Sequence, residues 1–396
     1  MRFLLFLFCM ICGSLPALSQ QLSPYSEISL LTVGPGKQLY STFGHTAIRV
    51  HDPATNINRV YGYGTFDFDT PFFYLKFARG KLNYKLDIDP FRTSPRRPGF
   101  MAIYRFLDRT VDEQVLNLTQ EQKQAIFDFL ETNYLPENRY YLYDFFFDNC
   151  ATRPRDVFIQ VLGDQLIFHH DYLNTEHTFR ELIDMYLQVK PWADFGIDLA
   201  LGAVIDRPVQ PMEYMFLPDY LARAFDHATV VIEGKEVPFV KSKRRLYQSR
   251  RKFEPVPLTQ KPVFIFSVLA LLLLGVSAWE WKKGRIIPWI DALLFGLAGL
   301  GGLVIFFLMF LTDHTATAQN MNILWLLPTH LLLPFVLFRS SKPRWFRPYL
   351  WLSGAMLLLL LLGWPILPQE LHPASIPLML MLLMRLVLYL FGPGRG

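Results

Sequence analysis

Cys150 is the residue whose type and setting most directly predict covalent chemistry. It lies in the segment Asp-Asn-Cys-Ala-Thr-Arg-Pro (residues 148–154), in which the Asp-Asn pair suits a helix cap and the proline suits the first helical turn. The N–H groups at a helix N-terminus favour a thiolate, and Arg153 and Arg155 add positive charge nearby. The segment therefore predicts a cysteine nucleophile, with a buried structural cysteine as the alternative.

A cysteine nucleophile needs a general base, and His45 has the context that fits this role best. It follows a glycine-bearing turn at residues 36–44 and precedes a β-branched stretch at 46–50, although a partly buried histidine without a catalytic role would have the same context. The next strand offers Asp67 first, and Tyr63 second, as the group that orients the imidazole. The chain contains no HExxH motif or Cys/His set, so we expect no metal and no cofactor.

The elements that position these residues are predicted to form an α+β domain, because strands come first in the chain and helices later. A capping-box sequence, Thr119-Gln120-Glu121-Gln122, predicts the start of one helix. Turn residues separate the other elements. The predicted strands are 28–33, 46–50, 60–68 and 101–107, and two further helices are predicted at 151–162 and 176–189.

Residues 1–19 have the pattern of a secretory signal peptide. Arg2 is followed by an apolar run and by the small-x-small site at residues 17–19, and a retained membrane anchor is the alternative. Cleavage after Ser19 would leave Cys150 as the single cysteine of the mature chain. An intramolecular disulfide is then excluded.

The second half of the chain has the composition of a membrane domain. The whole chain is 52% hydrophobic and only 18% charged, against about a quarter charged in typical soluble proteins. Arg385 lies in the last apolar segment, where we expect its side chain to snorkel towards the inner face. Predicted spans are 262–279, 289–311, 323–338, 349–366 and 376–391, the third interrupted by Pro328 and Pro334.

Loop charges predict the orientation of these spans. Lys and Arg occur in the loops 280–285 and 339–347 but not in 312–322 or 367–375. By the positive-inside rule, the first two loops are cytoplasmic and the N-terminal domain lies outside, in agreement with the signal peptide. We therefore expect a multi-pass inner-membrane protein with a periplasmic N-terminal domain.

Residues 241–261 form a basic stretch just before the first span. They contain eight Lys or Arg residues and one acid, Glu254. Two interpretations are open for this stretch. It contacts anionic phospholipid headgroups, or it is a solvated linker.

Three motifs in order resemble the DUF4105 family, which includes Lnb-type lipoprotein N-acyltransferases. They are Tyr-Ser-Thr-Phe-Gly-His-Thr-Ala-Ile-Arg-Val at 40–50, Tyr-Gly-Thr-Phe-Asp-Phe at 63–68 and Asp-Asn-Cys-Ala-Thr-Arg at 148–153. The segments 312–315 and 320–322 resemble an external loop of the same family. The order of histidine before cysteine is similar to the permuted papain-like enzymes related to NlpC/P60.

The resemblance implies an architecture for the whole chain. It implies a permuted papain-like (NlpC/P60-like) α+β periplasmic domain followed by an all-α transmembrane helical bundle. The expected divisions are a signal peptide at 1–19, the catalytic domain at 22–240, a basic linker at 241–261, and a membrane domain of about five helices at 262–396.

The resemblance also implies acyl transfer at the membrane surface, with Cys150 as nucleophile and His45 as base. Asp67 as the orienting group is our own expectation. The implied partners are a phospholipid acyl donor, a diacylglyceryl lipoprotein acceptor and the membrane, with no nucleic acid. The residues expected to contact substrate are Tyr63, Asn149 and Arg153, together with His314 as a wall of the lipid entrance.

Two other functions are compatible with the same residues. A membrane-tethered cysteine hydrolase would cleave peptidoglycan, and a non-catalytic papain-like module would bind lipoproteins or envelope partners. Aromatic residues before Cys150 favour an apolar acyl chain over a charged muropeptide, although core packing would explain them equally well. They are Tyr140, Tyr141, Tyr143, Phe145, Phe146 and Phe147.

Overall fold

A computed structural model describes residues 20–66 and 70–392 of the chain. The predicted signal peptide, residues 1–19, and Asp67 lie outside the described residues. These residues form an N-terminal α/β domain and a C-terminal helical region with apolar helices.

The N-terminal domain is built on a seven-stranded antiparallel sheet with the strand order β10-β5-β1-β2-β3-β4-β6. Three further short strands form a second sheet in the order β7-β8-β9. The strands of the large sheet are β1 (Glu27–Val33), β2 (His45–Asp52), β3 (Ile57–Phe66), β4 (Asn83–Pro90), β5 (Val111–Leu116), β6 (Tyr140–Leu142) and β10 (Val240–Tyr247). Those of the small sheet are β7 (Leu166–Ile167), β8 (Thr229–Ile232) and β9 (Lys235–Pro238).

Helices cover both faces of the large sheet. The main core includes α3, α4 and α7, and the predicted capping box at Thr119 is present and buries Ile126, Phe127 and Leu130 on one helical face. The short helix α2 covers the opposite face, against Val33, Ala47 and Val60. The helices of this domain are α1 (Phe73–Ala78), α2 (Phe100–Phe106), α3 (Gln120–Tyr134), α4 (Thr152–Leu162), α5 (Phe179–Leu187), α6 (Pro191–Ala200) and α7 (Pro218–His227).

Two sequence predictions for this domain are wrong. The segment 101–107, predicted as a strand, is helical, because Phe100 and Tyr104 lie one turn apart and their rings meet at 4.6 Å on the sheet. The basic stretch begins as β10, an edge strand that pairs with β5, rather than as a linker. The sheet therefore continues to Tyr247, beyond the predicted boundary at residue 240. Three basic side chains of β10 pair with acids of neighbouring elements. The pairs are Lys243–Asp226, Arg244–Glu27 and Arg245–Asp112.

The C-terminal region contains apolar helices of membrane-spanning length. Within the described residues, three helices are long and apolar enough to cross a membrane, and a fourth span results if the pair Thr315–Leu324 and Pro328–Leu337, bent by 53°, is counted as one. The last helix has 17 residues, and five spans stay a prediction. The helices are α8 (Pro262–Lys283), α9 (Pro288–Phe310), α10 (Leu333–Leu337), α11 (Phe346–Gly363) and α12 (Ser375–Phe391).

Arg385 in α12 is fully buried between helices, and the snorkelling expectation is wrong. Its guanidinium forms ion pairs with Glu280 of α8 and Asp291 of α9, and Nη1 also donates to Ser277 Oγ at 2.9 Å. A charge removed from water needs such partners. The cluster therefore ties the last helix of the bundle to the first two.

The loops between the apolar helices form hydrogen bonds with the N-terminal domain. The Asn320 amide donates to the carbonyl oxygens of Leu199 and Ala200 in α6, at 2.8 and 3.0 Å. The Gln369 amide donates to the Leu201 carbonyl at 2.8 Å, and the Gly202 N–H donates to the Ala316 carbonyl at 2.9 Å. Backbone and buried side chains thus fix the two regions against each other.

Candidate active site

Cys150 lies in the turn between β6 and α4, and Asn149 shapes that turn. The Asn149 amide is buried, and both its donor and its acceptor capacity are used on main-chain groups. The turn is therefore rigid where the sulfur projects. Nδ2 donates to the carbonyl oxygens of Phe145 at 2.6 Å and Phe216 at 2.9 Å, and Oδ1 accepts from the N–H groups of Ala151 at 2.7 Å and Thr152 at 3.0 Å.

The Cys150 side chain is partly exposed. Burial raises the pKa of the thiol to about 11, although the N–H group of Thr46 and the charge of Arg109 oppose this shift. The direction of this shift is opposite to the one that the helix position predicts, because the loss of water outweighs the effect of the N–H groups.

The two arginines expected beside the sulfur have other partners. Arg153 forms an ion pair with Asp148, and its guanidinium lies 4.0 Å from the centre of the Tyr141 ring. Arg155 pairs with the neighbouring Asp156 at 2.8 Å. Their charge is therefore directed away from the thiol.

His45 is the first residue of β2, and Gly44 sets its position. Gly44 has φ +87°, and a Cβ there would lie 2.8 Å from the Val33 carbonyl oxygen, so only glycine fits. The His45 ring stacks beside Tyr104 of α2 with 6.3 Å between centroids. Burial, and secondly the charge of Arg109, lower the pKa of His45 to about 4. The imidazole is therefore neutral near pH 7 and able to accept a proton.

Cys150 and His45 come together above two glycines of β3. A Cβ on Gly62 would lie 3.7 Å from His45 Nε2, and a Cβ on Gly64 would lie 3.6 Å from Cys150 Cβ. The two glycines are separated by one residue, at a shift in the register of β3 against β4. The N–H group of Thr46, the residue after His45, is close enough to the sulfur to lower the thiol pKa. A neutral thiol and a neutral imidazole thus share one site.

Three residues expected to contact substrate have protein partners in the structure. Tyr63 is 2% exposed, and its hydroxyl donates to Asn133 Oδ1 at 2.6 Å within the main core. Asn149 bonds to main-chain groups and Arg153 pairs with Asp148, as described above. A contact between these residues and a substrate stays a prediction.

His314 lies in an external loop of the helical region that contacts the N-terminal domain close to the site. Its Nδ1 would lie 3.3 Å from a Cβ at Gly80, and the Asp313 N–H donates to the Arg79 carbonyl at 2.9 Å. Thr315 Oγ1 donates to Asp144 Oδ2 at 2.9 Å, in the turn that leads to Cys150. A role for His314 as a wall of the entrance stays a prediction.

A row of aromatic rings runs from the thiol to the surface near this loop. Tyr143 begins the row, since a Cβ on Gly64 would lie 3.7 Å from its ring. The row ends at α1, where Phe72, Leu75 and Phe77 are exposed. Successive centroid distances are 4.5 Å (Tyr143–Tyr84), 5.4 Å (Tyr84–Phe66), 5.8 Å (Phe66–Phe73) and 6.4 Å (Phe73–Phe77).

The other aromatic residues before Cys150 mostly form core. Phe145 and Phe146 pack against Phe179 and Phe216, away from the row. Core packing is therefore the correct interpretation for Phe145 and Phe146, and a contact between Tyr143 and an acyl chain stays a prediction. Tyr143 borders the site, and the phenylalanines stabilise the domain.

Arg109 is the residue of the site that the sequence interpretation missed. It is 5% exposed, and its charge acts on both His45 and Cys150. It lies in a turn between α2 and β5, outside every motif. The sequence carries no signal for it, because only the pairing of β5 with β1 brings it close to β2.

One group of carboxylates has the spacing of a metal site but lies elsewhere. Asp184, Asp194 and Asp198 have oxygens within 4.8 Å of one another, beside the junction with the helical region. Arg180 pairs with Asp198 at 2.5 Å, and burial raises the pKa of Asp184 to about 8. Charge pairing and protonation therefore relieve the repulsion among them.

Comparison with known proteins gives two matches that follow each other along the chain. Residues 19–184 match the family model described as the Lnb N-terminal periplasmic domain, and residues 254–392 match the one described as the Lnb transmembrane domain. No curated protein and no solved structure matches the chain. The expected papain-like fold stays a prediction.

Proposed function

From the premise that this chain is an Lnb-family protein, a membrane protein with a periplasmic domain, we propose that it is a lipoprotein N-acyltransferase of the inner membrane. It moves a fatty acyl chain from a phospholipid, through a thioester on Cys150, to the N-terminal amine of a diacylated lipoprotein. The proposal includes Cys150 as nucleophile and His45 as general base.

The meeting of Cys150 and His45 is the observation that carries this proposal. Their segments are about a hundred residues apart, yet the Thr46 N–H acts on the sulfur, and His45 lies beside the Gly62 position and Cys150 beside the Gly64 position. The external loop contacts the same side of the domain through Asp144. A lipid-anchored substrate has to approach the site from this side.

In the first half-reaction, the sulfur attacks the carbonyl carbon of the phospholipid ester. His45 Nε2 takes the thiol proton as the S–C bond forms, and the N–H group of Thr46 stabilises the charge that develops on the sulfur. The ester C–O bond then breaks, and His45 returns the proton to the leaving oxygen. The products are an acyl-thioester and a lysophospholipid.

In the second half-reaction, the free amine of the lipoprotein attacks the thioester carbonyl. The C–N bond forms, His45 takes a proton from the amine, and the C–S bond breaks. The departing sulfur regains that proton from His45. The site is restored as neutral thiol and neutral imidazole, and the lipoprotein carries an amide.

The aromatic row provides a surface for the acyl chain. It begins at Tyr143 beside the thiol and ends at exposed apolar residues of α1, next to the loop of Asp313. Apolar rings exclude water from a thioester and favour burial of a hydrocarbon chain by about 0.8 kcal/mol per methylene. A charged muropeptide would gain nothing there.

The experiment that tests the proposal traps the intermediate. The purified full chain in phospholipid nanodiscs is incubated with acyl-labelled phospholipid, and label on Cys150 is located by peptide mass spectrometry and released by hydroxylamine. Cys150→Ser and His45→Ala should each abolish labelling, and the double variant should lose little more than either one. Addition of a diacylated lipopeptide should move the label to its amine.

Two results would overturn the proposal in favour of the other functions. Cleavage of muropeptides by a Cys150-dependent reaction, without acyl label on the sulfur, would indicate a hydrolase. Full lipoprotein maturation in cells that carry Cys150→Ala would indicate a non-catalytic binding module.

A further inference from the structure

Arg109 carries a buried charge that pairs with no acid among the described residues. The four arginines that are buried in the described part of the chain are Arg49, Arg109, Arg180 and Arg385, and every one except Arg109 pairs with a carboxylate. A buried cation is normally paired, because the loss of water otherwise destabilises the fold. The missing anion is therefore expected to come from a ligand.

The guanidinium of Arg109 is fixed by two contacts, and some of its N–H groups make no hydrogen bond to the described residues. Nε donates to the Gly34 carbonyl at 2.9 Å, and Cζ lies 5.1 Å from the centre of the Tyr104 ring. Nη2 is inaccessible to water and has no acceptor within the described residues. The Nε edge of the guanidinium is thus fixed, while Nη1 and Nη2 donate no hydrogen bond to the described residues.

Arg109 lies close to both side chains of the proposed reaction. Tyr104 lies against Arg109 and also stacks beside His45. The charge of Arg109 acts on both His45 and the Cys150 sulfur, but the guanidinium makes no hydrogen bond to either of them. Its partner is therefore a group a few bonds away from the carbon that the sulfur attacks.

We propose that Arg109 binds the phosphate of the phospholipid acyl donor. This inference rests on the proposed function, in which the donor carries a phosphate a few bonds from its ester carbonyl. A guanidinium matches phosphate oxygens with paired N–H groups. The diacylglyceryl acceptor has no phosphate, so Arg109 selects for the donor and acts in the first half-reaction alone.

A comparison of two acyl donors tests this role. Arg109→Gln and Arg109→Lys are compared with wild type and with Arg105→Gln, which removes an exposed arginine four residues earlier. Acylation of Cys150 by phospholipid should fall in Arg109→Gln by about tenfold to a hundredfold more than acylation by the p-nitrophenyl ester of the same fatty acid. The change with the p-nitrophenyl ester measures the effect of the lost charge on His45 and Cys150 alone. Arg109→Lys should recover part of the lost rate of acylation by phospholipid, because lysine keeps the charge but lacks the planar guanidinium.

A binding measurement on the wild type needs neither turnover nor a variant. An ether-linked phospholipid, which cannot be cleaved, should protect Cys150 from alkylation at lower concentration than a dialkylglycerol of the same chain length. Glycerol 3-phosphate, which has the phosphate without the chains, should protect weakly. Equal protection by the ether phospholipid and the dialkylglycerol would overturn the inference, as would stronger protection by glycerol 3-phosphate.

The outcomes separate this inference from the proposed function. Equal loss of acylation from both donors in Arg109→Gln, or no loss from either, would overturn the phosphate role while the acyltransferase proposal stands. If the wild type forms no thioester but the ether phospholipid still protects Cys150 through Arg109, the proposed reaction fails and the phosphate site remains.

Discussion

At the scale of residues, the site differs from one built on a thiolate and imidazolium pair. Burial keeps Cys150 protonated and His45 unprotonated, and Arg109 is the nearby charge that acts on both. In the proposed reaction, proton transfer therefore has to accompany attack on the ester instead of preceding it. The reactive anion forms only when a substrate is present to accept it.

The pH dependence of alkylation follows from these pKa directions. Because the pKa of Cys150 is raised to about 11, its alkylation by iodoacetamide should accelerate with pH beyond pH 9 without a plateau near neutrality. Acyl transfer should instead fall as the pH drops towards about 4, where His45 gains a proton. The rates are measured by mass spectrometry on the folded chain. An alkylation plateau between pH 6 and 8 would contradict a neutral thiol.

Asn149→Ala should affect both stability and reaction. It leaves four main-chain groups without their side-chain partner, so we expect a loss of about 2–3 kcal/mol in the free energy of unfolding and slower acylation of Cys150. Denaturant titration and acyl labelling measure the two effects. Asn117→Ala is the matched control, since the Asn117 amide makes one exposed bond to the Pro238 carbonyl and should change neither quantity.

At the scale of elements, the site depends on how a strand and two turns meet. β3 has glycines at positions 62 and 64, which we call the glycine strip. Because these positions carry no side chain, His45 lies beside the first and Cys150 beside the second. Gly64 also has φ +96°, which side chains rarely adopt. A side chain at either position would contact the proposed base or the proposed nucleophile directly.

Gly64→Ala tests the strip against a matched control. Gly234, in the turn between β8 and β9, has φ +74° and open space around it. Alanine at either position should cost about 1 kcal/mol of stability, because both backbones are left-handed. Only Gly64→Ala should also slow acylation of Cys150. Equal acylation rates in the two variants would show that the space above Gly64 is not used.

The sequence predicted the parts of the site that have local signals. A glycine turn before His45 and a helix start after Cys150 are visible within ten residues of each. Arg109 has no such signal, since its place depends on strand pairing. The basic stretch was interpreted as a linker because an edge strand with exposed charges lacks the apolar alternation by which strands are usually identified.

At the scale of the whole molecule, the interface between the two regions determines how the site faces the membrane. Asn320 is almost fully buried there, and it donates to two carbonyl groups at the end of α6. The same loop carries Thr315, which contacts the turn before Cys150. This loop therefore fixes the position of the thiol relative to the apolar helices.

Asn320→Ala should loosen this attachment without altering the site itself. We expect faster hydrogen exchange at residues 198–202 and slower acylation by phospholipid in nanodiscs. Alkylation of Cys150 by soluble iodoacetamide should match that of the Asn117→Ala control. If the alkylation rate changes as well, the loop shapes the catalytic turn rather than its placement.

Arg385 follows its two carboxylate partners by about a hundred residues, and both partners belong to the first helices of the bundle. During synthesis, Glu280 and Asp291 are therefore made long before their counter-charge. Until Arg385 arrives, these two carboxyl groups have to be protonated or to remain in contact with water. Packing of α8 and α9 against α12 is accordingly a late step in the assembly of the bundle.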